Sequence, residues 1–364
     1  MEKAVRLYFS IFFLLVVFGM VMVFNVKMFN VPSAEAALLP QIRGLIINFA
    51  FAGVAFISAY LVNLSWLKNS SRYLVVFIIF LLIATLIIGT TRNGARRWID
   101  LHFMMLQPSE FAKIVAVIYL SEVMTKKGER VQLLKDLVSI GVVVVAIVGL
   151  IAIEDLGTAT IICGTSMLML LLGGMRKKYL LYLAPLAIVA FCVMVFMPGK
   201  GYRVARLQSF MNPCSDEYRL DTGLQQCRAQ VAFSIGGTTG VGFGNSTIKI
   251  KDLPESQTDF IFPIIGEEFG FVGAVAVILL FMAMFAVGTY FVLHLHDTFN
   301  FYMVAGFVLM LAIQVVINLF VVSSLSPNKG VPLPFISYGG SALASYSFMV
   351  GLILNAVTNE SSRH

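Results

Sequence analysis

Long apolar runs broken by short polar segments organise this chain. Runs near the ~20 residues that a helix needs to cross a bilayer lie at Leu7–Val26, Ile42–Val62, Tyr73–Gly89, Pro108–Met124, Leu137–Ile153, Gly157–Gly174 and Tyr179–Met197. A polar, glycine-rich stretch then extends from Pro198 to Asp259. It is followed by Phe260–Leu293, Phe299–Ser323 and Ile336–Ala356. The pattern predicts an all-α polytopic membrane protein with about ten transmembrane helices and one large loop, residues 198–259, between helices 7 and 8. Phe260–Leu293 is longer than one span, so the sequence predicts tilt, a break or an interfacial part. Only Glu154-Asp155-Leu156 separates two of the runs, which predicts a tight helical hairpin. The first run is too long for a signal-peptide core, and Ala34-Glu35-Ala36 lies too far beyond it to be a cleavage site, so an uncleaved first helix is expected.

Composition narrows the class. Of 364 residues, 59% are hydrophobic and 12% charged, against roughly 45–50% and 25% in soluble domains. That excludes an ordinary cytosolic enzyme, a disordered chain, a disulfide scaffold and a fibrous protein. The net charge of +7 is explained by membrane orientation and anionic headgroups, without nucleic acid. With the N-terminus cytoplasmic, short loops on that side hold twelve Lys and Arg, against six on the other. The bias predicts an N-in, C-in chain whose large loop is extracytoplasmic. Arg92, Arg96 and Arg97 sit on the disfavoured outer side. They are either a displaced cluster or an anion site suited to phosphate oxygens.

Polar groups at membrane depth are costly and mark candidate chemistry. Glu110 and Lys113, three residues apart, share a helix face and pair, as a lock between helices or as part of a polar cavity. Glu267 and Glu268 diverge by ~100° and form no dyad; one is expected at the interface. Thr258 or Asp259 suits a helix N-cap, and Asp259 equally suits a general base at the mouth of an outward cavity. The glycines from Gly236 to Gly244 lack a βαβ context, so they predict a bent, close-packed segment. Pro332–Ser341 is expected to be irregular. His294, His296 and Asp297 are too few for a metal site. Cys163 and Cys192 read as small hydrophobes. Cys214 and Cys227 share one polar stretch, as a disulfide or as two free thiols.

Several motifs, in this order, resemble the SEDS family (shape, elongation, division and sporulation). They are Asn93-Gly-Ala-Arg-Arg-Trp98, Gln107-Pro-Ser-Glu-Phe-Ala-Lys113, Asp155-Leu-Gly-Thr158, Arg203-Val-Ala-Arg206, Gly240-Val-Gly-Phe-Gly-Asn245, Leu253-Pro-Glu-Ser-Gln-Thr-Asp-Phe260, Gly266-Glu-Glu268 and the segment from Lys329 to Ser341. The resemblance covers nearly the whole chain and implies one SEDS-type membrane domain over residues 1–364. It implies a peptidoglycan glycosyltransferase that polymerises lipid II, an undecaprenyl-pyrophosphate-linked disaccharide-peptide, on the outer face of the bacterial inner membrane. Its implied partners are a class B penicillin-binding protein and other divisome or elongasome membrane proteins. The family's essential aspartate falls on Asp259, and its Glu and Lys on Glu110 and Lys113, giving three catalytic candidates. Arg92, Arg96, Arg97, Arg203, Arg206, Lys329 and Ser337 are the expected substrate contacts. A divalent metal, Mg or Mn, would assist; a nucleotide is not needed, because the donor is already activated. Lys329-Gly330 and Asn93-Gly94 look more like the division-type branch than the elongation type. The chain departs from the family at Glu154, usually Pro, at Leu224, usually Tyr, and at Arg228, usually Gln. A lipid II flippase and a non-catalytic scaffold are the competing functions.

Overall fold

The computed structural model describes residues 1–29, 38–92, 95–100, 105–196, 201–248 and 256–361. Among them, helices occupy all ten predicted runs: α1 (Glu2–Phe29), α2 (Leu38–Leu61), α3 (Leu64–Ile88), α4 (Pro108–Lys127), α5 (Leu134–Ala152), α6 (Leu156–Leu172), α7 (Leu180–Val195), α10 (Ile261–His294), α11 (Thr298–Val322) and α12 (Gly340–Ser361). Seven of these are long and apolar enough to cross a membrane. The other three are α6 and α7, which are short, and α4, which carries Glu110, Lys113 and Glu122. α4 is nonetheless the hub: almost every residue from Pro108 to Met124 is buried, and α3, α5, α6, α11 and α12 pack around it. The chain is a multi-pass, all-α membrane protein.

Three boundaries differ from the apolar pattern. α3 begins at Leu64 rather than Tyr73, because Asn63 Oδ1 accepts from the Ser65 and Trp66 amides at 2.9 and 3.3 Å. That cap carries the helix through the polar Lys68–Arg72 turn, beyond the apolar run. α12 starts at Gly340 rather than Ile336. The polar stretch is not a bare loop: it holds α8 (Gly201–Met211) and α9 (Leu224–Gly236). The segment that carries Arg92, Arg96 and Arg97 forms a small antiparallel sheet, β1 (Thr90–Arg92), β2 (Ala95–Asp100) and β3 (Met105–Leu106), in the order β1-β2-β3.

The long α10 is broken, as its length predicts. Gly270 has φ +66° and ψ −165°, a conformation reserved for glycine. A break inside a membrane protein frees backbone groups that something must satisfy. Here the glycine-rich 237–242 segment does so. Val241 and Gly242 amides donate to the Glu267 and Glu268 carbonyls, both at 3.0 Å, and Phe271 and Val272 amides donate to Gly237 and Thr238 carbonyls. A Cβ on Gly240 would lie 2.2 Å from Glu268 O, so only glycine admits this approach. Glu267 and Glu268 find partners on different segments, as expected, and both are fully buried inside the protein. Glu267 accepts from the Thr247 amide and hydroxyl, both at 2.8 Å, and from Ser246; Glu268 accepts from Asn25 Nδ2 at 2.7 Å.

The two ends of the bundle differ in character. One gathers the α2–α3 junction, the α10–α11 junction and the end of α12, where Asn355 Nδ2 bonds Ala59 O and Val62 O. Glu360 there accepts from His296, Asp297 and Asn300. The Tyr8 and Phe291 rings meet at a tilt with centroids 5.4 Å apart, so α1 begins at this end and both described termini share it. The opposite end gathers the sheet, the α5–α6 turn, α8, α9, Asp259 and the 323–339 connection.

Candidate functional site

A cleft at this second end is lined by Arg97, Arg203, Arg206 and Lys329, together with Gly157, Asn328 and apolar neighbours. Four of the expected substrate contacts therefore meet although they lie up to 232 positions apart in sequence. Two of them are oriented by the α5–α6 hairpin. A helix C-terminus leaves carbonyls without intrahelical partners and carries partial negative charge. Arg203 Nη2 donates to Ala152 O and Ile153 O at 3.1 and 2.7 Å. Arg97 donates from Nε and Nη2 to Glu154 O at 2.9 and 2.6 Å. Its Nη1 stands 3.8 Å from Asp155 Oδ2. Asp155 caps α6 by accepting from the Thr158 amide and hydroxyl at 3.0 and 2.9 Å. Lys329 is half-buried, and among the described residues it forms no ion pair. Burial pushes its ammonium below the usual lysine range. The wall is thus cationic and only partly neutralised, which suits an anion.

Asp259 stands beside this wall. A Cβ placed on Gly330, next to Lys329, would lie 3.2 Å from Asp259 Oδ2. Gly330 has φ +64°, so two constraints select glycine there. The Asp259 backbone is held from both sides. Asn318 Nδ2 donates to Asp259 O at 2.9 Å and to Val331 O at 2.7 Å, and the Tyr338 amide donates to Gln257 O at 2.7 Å. The N-cap of α10 is Phe260, so neither Thr258 nor Asp259 occupies the capping position that helix-end preference suggests.

Below lies a sealed polar chain. Glu110 and Lys113 pair at 2.8 Å with side chains 3% and 0% exposed. Ser345 donates to Glu110 at 3.0 Å, and Lys113 donates to Gln314 Oε1 at 3.0 Å. Gln314 Nε2 passes the connection to Pro332 O at 3.1 Å and to Tyr346. The pair thus reaches the Val331–Pro332 backbone through a relay, and it does not line the cleft.

The other expected contacts go elsewhere. Arg96 Nη1 donates to Leu86 O and Ile87 O at 3.1 and 3.3 Å, closing the α3 C-terminus outside the cleft. Ser337 Oγ accepts from the Leu333 amide at 2.8 Å, stapling its own turn. The side chain of Arg92, together with Asn93, Gly94 and Leu253–Glu255, lies outside the described residues. Among the described residues, no three His, Cys, Asp or Glu side chains gather as metal ligands. Cys214 and Cys227 form a disulfide.

The residues that sequence reasoning passed over are amides: Gln314, Asn318 and Gln226. Gln314 and Asn318 sit one turn apart in the apolar α11 and are both buried. Two amides at i, i+4 in a spanning helix are a readable signal of interhelical bonding.

Residues 5–362 match the family of FtsW, RodA and SpoVE cell cycle proteins, and the chain belongs to it. It is 35% identical over 313 residues to stage V sporulation protein E of Bacillus subtilis, covering 84% of each chain. It is 32% identical over 356 residues to the probable peptidoglycan glycosyltransferase FtsW of Geobacter sp., covering 95% of this chain and 94% of that one. Its fold is similar to a chain of a peptidoglycan synthase complex solved for the coordination of polymerization and crosslinking. The TM-score is 0.77 at 24% identity, over 99% and 98% of the two chains. RodA of Thermus thermophilus follows, with a TM-score of 0.70 at 23% identity over 97% and 96%.

Proposed function

We propose that this chain is a peptidoglycan glycosyltransferase that polymerises lipid II, with Asp259 as general base and the Arg97–Arg203–Arg206–Lys329 cleft as the site of the leaving pyrophosphate. The observation that carries this is the approach of the Asp259 carboxylate to Gly330, directly beside Lys329 in a cationic cleft. The names of the relatives supply the reaction class.

The chemistry follows from the charges. The acceptor sugar's 4-hydroxyl is a weak nucleophile and must lose its proton as it attacks C1 of the donor sugar. A positioned carboxylate contributes ~10²–10⁴-fold to such a step. The C1–O bond to the lipid pyrophosphate breaks, and negative charge grows on that leaving group. Fixed cations lower the barrier because they are already in place when the charge develops. The Glu110–Lys113 pair does not line the cleft, and it acts through Gln314 and Pro332 to position the Val331–Pro332 segment. Among the described residues the donors on the cleft are mainly cations and amides, so they fit an anion directly and do not fit a protein-held Mg or Mn ion. Such an ion would arrive as part of the pyrophosphate's own counterion shell, and no step here runs through it.

The end of the bundle carrying the cleft faces outward across the bacterial inner membrane. A class B penicillin-binding protein, which crosslinks the new glycan, is the expected partner. The FtsW and SpoVE relatives favour a division or sporulation role over elongation. The test is polymerisation of labelled lipid II by wild type and Asp259→Asn. Each is purified with a class B partner whose transpeptidase serine is blocked. Glycan chains from wild type alone are expected. Equal polymer from both removes Asp259 as the base. None from either, with translocation of lipid II in vesicles, replaces the polymerase by a flippase.

A further inference from the structure

The disulfide joins the two walls of the cleft. Cys214 lies just beyond α8, whose Arg203 and Arg206 form one wall, and Cys227 lies in the first turn of α9. α9 grips the other wall. Its Gln226, 1% exposed, donates from Nε2 to Val321 O at 3.1 Å and to Ser326 O at 2.8 Å. Its neighbour Gln225 accepts from Asn328 Nδ2. Asn328 Oδ1 in turn accepts from the Gly330 amide at 3.1 Å. Every residue from Ser326 to Gly330 except Pro327 and Lys329 is thus tied in, and Lys329 is the cation these ties carry. The same two segments meet again at Gly223, where a Cβ would stand 2.4 Å from Pro213 O.

Neither short helix would hold this geometry alone. α8 has 11 residues and α9 has 13, below or near the length at which helices persist without tertiary support. We propose that the Cys214–Cys227 disulfide and Gln226 are positioning elements. Together they fix the gap between Arg203 and Arg206 on one side and Lys329 on the other, and so set the affinity of the cleft for the pyrophosphate of the lipid substrate. This rests on the cleft being the pyrophosphate site. Asn318 holds the Asp259 carbonyl and the Tyr338 amide holds the Gln257 carbonyl, two ties that do not run through α9. Loosening the walls therefore weakens binding and leaves the proton-transfer step intact.

Reduction tests this on the folded protein. An added dithiol cleaves the Sγ–Sγ bond to two thiols and is itself oxidised to a disulfide. Two quantities are measured before and after reduction. One is KM and kcat for lipid II in the complex with the blocked class B partner; the other is Kd for undecaprenyl pyrophosphate in detergent. Alkylation of Cys214 and Cys227 proves the bond open. The expected result is an increase in both KM and Kd of about tenfold, the loss of roughly one charge-assisted contact, with kcat within about twofold. Gln226→Met, with its disulfide intact, raises KM in the same way. Cys214→Ser/Cys227→Ser starts from the raised KM and does not respond to the dithiol. Unchanged KM and Kd with both thiols alkylated overturn the proposal, as does a fall in kcat at constant KM. An oxidised protein that binds undecaprenyl pyrophosphate but makes no polymer overturns the polymerase reading alone.

Discussion

Asn318 and Asp259, 59 positions apart, meet through one bond: Asn318 Nδ2 donates to the Asp259 carbonyl at 2.9 Å while also holding Val331 O. One buried amide thus holds the backbone of the base and of the segment beside it. Asn318→Asp replaces the donor nitrogen with oxygen and sets a carboxylate against two carbonyls. Displacements of ~1 Å near reacting groups can cost ~10²-fold in rate. The expected outcome is a kcat reduced about 10–100-fold with lipid II binding retained, read from glycan yield and from a separate binding titration. Normal kcat would show that this clamp does not position the base.

The Glu110–Lys113 pair makes a prediction about stability. Removing one partner of a buried pair leaves an uncompensated charge and costs ~3–5 kcal/mol, whereas replacing both can be nearly neutral. Lys113→Met is expected to lower the unfolding midpoint in detergent sharply. Glu110→Gln/Lys113→Met should recover most of the loss. Additive losses in the double variant would mean that the two side chains do not act as a unit.

Much of the fold is legible in the apolar pattern, because a helix that spans lipid has little choice of sequence. The ten runs, the break in the long α10 and the α5–α6 hairpin all follow from length and spacing. The α3 start did not, because the cap at Asn63 outweighs the polar composition of the turn after it. The small sheet did not, because pairing between β1, β2 and β3 depends on strand contacts that a polar loop does not advertise. At the site, the sequence proposed seven contacts, of which Arg97, Arg203, Arg206 and Lys329 meet in one cleft. It could not separate them from Arg96, which has the same chemistry but closes a helix end. The i, i+4 spacing of Gln314 and Asn318 signals bonding between helices, but the partners of Asn318 and Gln226 were hidden, because an amide declares neither charge nor partner. Only the tertiary neighbours reveal what it holds.

Gly330 provides a contrast between strain and crowding. Gly330→Ala forces an L-residue to φ +64° and brings a methyl to 3.2 Å from Asp259 Oδ2. Gly128→Ala forces φ +51° with nothing within 4 Å of the added methyl. Each is expected to lose about 1–3 kcal/mol of stability from a positive-φ backbone that L-residues rarely adopt. Only Gly330→Ala should also lose kcat, since only there does the methyl meet the base. Paired unfolding and polymerisation measurements check this. Equal activity in the two variants would show that the glycine serves the turn alone.

Lys329 makes binding pH-dependent, with a definite sign. Burial lowers its folded-state pKa, so the folded protein disfavours the charged form. Without substrate, the unfolded chain holds the proton more tightly. Stability therefore rises with pH across the window between the lowered folded value and the ordinary lysine value. Pyrophosphate needs the ammonium, so KM for lipid II is expected to move the other way, rising as pH climbs through the lowered pKa. Lys329→Arg keeps its charge above pH 12 and should flatten the rise, while Lys329→Met should raise KM at every pH. The check is KM from neutral to alkaline pH for the three proteins, with kcat recorded at each point. If wild type and Lys329→Arg rise together, the titrating group is elsewhere, and Lys329 is not the cation that meets the pyrophosphate.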